Sequence, residues 1–82
     1  DSELLLASGI CNLETGNFNQ AMKMFSSIES KSNVFSARAK WYMALTMLAE
    51  KNTETCRKIL LTISPDADTY KQAQELLEKL NE

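Results

Sequence analysis

The sequence predicts an all-α fold, and three observations carry that prediction. Apolar residues recur at helical spacing through nearly the whole chain, glycine and proline together fill only three of 82 positions, and short polar stretches separate the apolar stripes. The first helix is expected from Ser2 to about Thr15, with Leu6, Gly9, Ile10 and Leu13 on one side. Gly16 stands where a left-handed residue would end it. Asn17 then offers a side-chain oxygen as an N-cap, and Ala21, Met24, Phe25 and Ile28 repeat at i, i+3, i+4, i+7, which predicts a second helix over Phe18 to Glu29.

The polar run Ser30-Lys31-Ser32-Asn33 reads as a turn, after which an unbroken helix-forming stretch predicts the longest helix from Phe35 to Ala49. Asn52 and Thr53 stop that run and cap a fourth helix whose stripe is Cys56, Ile59, Leu60 and Ile63. Pro65 has no amide hydrogen and drives Ser64 out of the α region, so Ser64-Pro65-Asp66 breaks the chain. A fifth helix follows from about Asp68 to Leu80, with Tyr70, Ala73, Leu76, Leu77 and Leu80 inward and Lys71, Gln72, Gln74, Glu75, Glu78 and Lys79 solvated.

Composition bounds the function. A chain of this length forms one domain over 1-82 and buries only about 60–65% of the surface its unfolded form exposes, so its core is thin. The formal charge of −2 and pI near 5.1, with no Lys/Arg stripe, argue against nucleic acid as a partner. Histidine is absent, which removes the commonest neutral-pH proton shuttle and metal ligand. Cys11 and Cys56 belong to different predicted helices and form no CxxC pair, so they read as buried free thiols and no metal site is expected. No Gly-rich phosphate loop or nucleophile–base set can be assembled. Glu50 with Glu54, and Glu75 with Glu78, sit at helix ends or on solvated faces, where Glu75 and Lys79 would form an ordinary i, i+4 surface pair. Neither an enzyme, a cofactor nor a small-molecule substrate is expected. The apolar runs are too short to span a bilayer, and nothing in the chain sets its compartment.

Shifting the chain by 35 positions against itself pairs Gly9 with Ala44, Leu13 with Leu48, Asn17 with Asn52, Ala21 with Cys56, Phe25 with Leu60 and Ile28 with Ile63. Small residues meet small ones and large meet large. The same shift carries Phe35 onto Tyr70 and Trp41 onto Leu76, so the fifth helix reads as the first of an incomplete third unit. The run Gly16-Asn17-Phe18-Asn19-Gln20-Ala21-Met22-Lys23-Met24-Phe25 resembles the G-D-Y-x-x-A-x-x-x-[YF] core of the tetratricopeptide repeat, a helix pair recurring at about 34 residues. Trp41-Tyr42-Met43-Ala44-Leu45-Thr46-Met47-Leu48 resembles the WYLALAYL helix of bacterial members. The second unit departs from the pattern, with Lys51 where Gly is usual and Cys56 where Ala is usual.

The resemblance implies a right-handed α-α superhelix: repeat one about 2-29, repeat two about 34-64, and a C-terminal capping helix about 67-81. Because Asp1 opens almost directly onto an apolar run, the chain is equally expected to be a domain cut from a longer protein. It also implies a concave groove, lined by the first helix of each repeat, that receives a segment of another protein. Carried over by position, the groove residues are Leu6, Ala7, Ile10 and Leu13 with Arg38, Trp41, Tyr42, Leu45 and Leu48. Arg38, Trp41, Tyr42, Leu45, Leu6 and Ile10 are the candidate partner-binding set, since Trp, Tyr and Arg most often anchor interfaces. Packing of Trp41 and Tyr42 against the fifth helix, or against further parts of a longer chain, stands as the alternative. The four methionines, at helical spacing, read as core filler. A second function reading is a spacer or homodimerising unit in a larger sensor or assembly protein, with no groove ligand.

Overall fold

The structure, a computed structural model, describes residues 1–30 and 34–81 and is all-α. Its helices are α1 Ser2–Glu14, α2 Phe18–Glu29, α3 Ser36–Ala49, α4 Thr53–Leu61 and α5 Tyr70–Leu80, each packed on the next in chain order. Of the expected turn at Ser30 to Asn33, residues 31–33 lie outside the described residues.

Helix boundaries follow local chemistry. Asp1 caps α1 by accepting a hydrogen bond from the Glu3 amide at 2.9 Å, and Gly16, at φ +85°, ends the segment in the left-handed region as expected. Asn52 caps α4, its Oδ1 accepting from the Thr55 amide at 3.2 Å. The cap expected from Asn17 does not form: its amide instead donates to Thr15 Oγ1 at 3.2 Å and Asn12 Oδ1 at 3.4 Å. Phe35 is the residue before α3, which begins at Ser36. The fifth helix starts at Tyr70, later than Asp68, because Ser64–Thr69 forms successive turns in which Ala67 donates to Ser64 O and Tyr70 to Ala67 O. Within them the Ser64 hydroxyl bonds the Asp66 carboxylate, which holds that carboxyl below the usual range.

Two cores share α3. The first joins Leu6, Ala21, Phe25, Ile28 and Ala39; the second joins Ala44, Cys56, Leu60, Ile63, Ala73 and Leu77. Ala21, Phe25 and Ile28 thus hold the places that Cys56, Leu60 and Ile63 hold one unit later, in agreement with the 35-residue pairing. For the fifth helix the interval is shorter. Ala39 and Ala73, both fully buried and 34 positions apart, occupy matching places, so the shift of 35 that pairs Trp41 with Leu76 is one residue too long there. All four methionines are half-buried, and Met43 and Met47 pack against the first and second core respectively. Cys56 is buried as expected, but Cys11 is exposed, because it lies on the side of α1 opposite the buried Leu6 and Gly9.

Arg57 ties α4 to the end of α5. Its guanidinium donates to Glu54 at 2.7 Å and to the Leu80 carbonyl at 3.3 Å, one of the acceptors a helix end leaves open, while Nε has no hydrogen-bond partner among the described residues. The buried Thr46 hydroxyl is satisfied by the Tyr42 carbonyl one turn back, at 2.7 Å.

A candidate binding cleft between α3 and α5

The side of α3 that carries Arg38, Trp41 and Leu45 faces α5 across a cleft of about 330 Å³. Trp41, Leu45 and Leu76 make its apolar floor, and Gln72, Glu75 and Lys79 its polar rim. Trp41 and Leu76 are half-buried because they pack on the second core from outside it. The cleft is open and of side-chain size, which suits an inserted apolar residue flanked by polar contacts.

Arg38 bonds Asp68, in the turn before α5, through Nε at 2.9 Å, and its guanidinium lies 5.9 Å from the centre of the Phe35 ring. Both partners of that ion pair are about half exposed (50% and 53%), so the link is worth little energetically and leaves the guanidinium accessible. Thr69 adds a more sheltered tie, donating to the Ala37 carbonyl at 3.3 Å. Together they fix the start of α5 against the start of α3.

The six candidate residues therefore divide. Trp41 and Leu45 share the cleft, and Arg38 stands one turn before them on the same helix. Tyr42 turns the other way and stacks on Phe25, with ring centroids 5.7 Å apart and planes at 21°. Leu6 is buried in the first core and Ile10 packs against it. Of the alternatives open for Trp41 and Tyr42, packing toward α5 describes Trp41 in part and does not describe Tyr42.

Gln72, Glu75 and Lys79 are exposed, as their assignment to the solvated face of the fifth helix requires, but sequence reasoning did not anticipate that they also rim a cleft with α3. The signal was available in the 34-residue interval, which carries Arg38 onto Gln72, Trp41 onto Glu75 and Leu45 onto Lys79. The expected Glu75–Lys79 ion pair does not form; both side chains border the cleft.

A second depression of about 260 Å³ lies over α3, lined by Glu29, Lys40, Met43, Lys58, Ile59 and Thr62. Lys40 there donates to the Thr62 carbonyl at 3.4 Å, at the end of α4. Among the described residues no three His, Cys, Asp or Glu side chains gather in a way that could hold a metal ion, and no helix is long and apolar enough to cross a membrane. The chain matches no protein-family model, no curated protein and no solved structure.

Proposed function

We propose that this chain is a tetratricopeptide-like interaction domain that takes a segment of another protein in the cleft between α3 and α5. The observation that carries the reading is the pairing of an accessible apolar floor, Trp41, Leu45 and Leu76, with a rim of both charge signs, Glu75 and Lys79. Such a surface suits an apolar anchor residue flanked by polar or charged neighbours. The motif Gly16 to Phe25 and the matched cores of the two units support the family reading. The right-handed superhelix belongs to the same proposal.

The test is selection of a displayed peptide library on the intact chain, followed by titration of Trp41 fluorescence, the only tryptophan signal. Peptides of the proposed class shift that emission and lose binding with Leu76→Glu but not with Lys23→Glu on the outer face of α2. Binders indifferent to Leu76→Glu would overturn the reading. A dimer in light scattering that Leu45→Glu dissociates would replace it with the oligomerising spacer.

A further inference from the structure

The chain contains its own standard for how a first helix of a unit is covered, and α1 does not meet it. In α3 both sides are packed. Ala44 belongs to the second core, while Ala39, Tyr42 and Met43 pack in the first with Ala21, Phe25 and Ile28 of α2; Thr46 continues that stripe by helical spacing, and Ala39 and Thr46 are fully buried. The residues 35 positions earlier, Leu4, Ala7, Ser8 and Cys11, form the matching stripe of α1, and all four are exposed, Leu4 at 68%. They lie opposite Leu6 and Gly9, which α1 buries on its other side.

The contrast with the other end of the molecule is chemical. Packed only on its inner face, α5 fills the rest with Lys71, Gln72, Gln74, Glu75, Glu78 and Lys79. From Leu4 to Leu13, α1 has no charged residue at all. A helix apolar all round is built for contact on both sides. By this measure α1 resembles α3, which is covered on both sides, and not α5.

We propose that the Leu4, Ala7, Ser8 and Cys11 face seats one further amphipathic helix of the α2 and α4 kind, joined to the N-terminal end of α1 by a short connection. The occupant is identified by the repeat: α2 covers the equivalent stripe of α3, through Phe25 stacked on Tyr42. The covalent connection is required by area. Four residues on one helix fall far short of the roughly 800 Å² per partner of a free-standing interface, whereas a short link supplies a high effective concentration. Ala7 and Ser8 are smaller than Tyr42 and Met43, so the arriving helix presents a bulky side chain at that point.

Cys11 is the reporter, because it is exposed while Cys56 is buried. A second copy of residues 17–35, which lead into α3 in the same register, is fused directly before Asp1 of the intact chain. Thiol-reagent kinetics and thermal melts are then compared with the unfused protein. Docking slows Cys11 by roughly tenfold or more, the protection expected of a site exposed only by local opening, and raises the thermal midpoint. Two controls are needed: a fusion whose added helix carries Glu at the positions copied from Ala21 and Phe25, and a fusion with Ala7→Glu. Both should return Cys11 to its unfused rate. Unchanged Cys11 kinetics in the parent fusion, or equal protection in the controls, would overturn the proposal. Concentration-dependent protection of Cys11 in the unfused chain would do so too, by assigning the face to a second copy.

Discussion

Gly9 lies so close to Phe25 that a Cβ at Gly9 would sit 2.5 Å from ring atom Cε1, with Cδ1 and Cζ both at 2.9 Å. The ring is fully buried and stacked on Tyr42, so it has no free direction in which to retreat. Gly9→Ala would recover up to about 1 kcal/mol of helix propensity against about 1–3 kcal/mol of overpacking. The net expectation is loss of stability, seen as a lower midpoint in thermal denaturation. A midpoint that rises would mean that α1 and α2 can separate at no cost.

Ala21, on α2, is fully buried in the first core, while Lys23 is exposed. Ala21→Leu should lower the thermal midpoint by several degrees, at about 1–3 kcal/mol of overpacking and roughly 4–8 °C per kcal/mol for a domain of this size. Lys23→Leu should leave it nearly unchanged. Equal effects would contradict the burial of α2.

Ala21 also shows why so much of the fold was legible in the sequence. Small and large residues recur at matched positions because two helix pairs solve the same packing problem, so one unit reads the other. The site was less legible. Tyr42 and Trp41 are neighbours of similar character in sequence, yet 100° of helical turn sends one onto Phe25 and the other to the cleft. The one-residue difference in interval before α5 concealed Gln72, Glu75 and Lys79, because local spacing does not register how many residues the turns around Pro65 consume.

The two asparagines before α2 and α4 should be unequal. Asn52→Ala removes a side-chain cap and should cost about 1 kcal/mol. Asn17→Ala removes only contacts to Asn12 and Thr15 and should cost less. The physical difference lies one turn back: 35 positions on, Met47 offers no side-chain oxygen where Asn12 does, and Glu50, in the place of Thr15, makes no bond to the Asn52 amide, which leaves the Asn52 side chain to cap Thr55. Denaturation midpoints of the two variants in urea decide the matter, and equal losses would remove this account.

Burial pushes the Cys56 thiol up, opposed less strongly by the neighbouring Arg57. The folded state therefore binds the thiol proton more tightly than the unfolded chain. Its contribution is fully present below the unfolded thiol's range and is lost as pH rises through the folded one. Stability should fall across the alkaline range, and Cys56→Ala, which reproduces Ala21 of the first unit, should fall less steeply. Parallel alkaline slopes for the two proteins would exclude Cys56 as the cause.

Gly16 and Lys51 occupy the same turn one unit apart, with φ of +85° and +65°. The hydrogen bonding repeats as well. Gly16 N donates to Leu13 O at 3.2 Å and Asn17 N to Asn12 O at 2.7 Å, while Lys51 N donates to Leu48 O at 2.9 Å and Asn52 N to Met47 O at 2.8 Å. A lysine in the left-handed region bears a Cβ that crowds the following carbonyl, at roughly 1–2 kcal/mol, which glycine avoids. Lys51→Gly should therefore raise the thermal midpoint, less the extra freedom that glycine gives the unfolded chain. Gly16→Ala should lower it through backbone strain alone, since nothing lies within 4 Å of a Cβ built there. Opposite signs from the two variants are the expected result, and a stabilising Gly16→Ala would show that the turn can leave the left-handed region without disturbing α1 or α2.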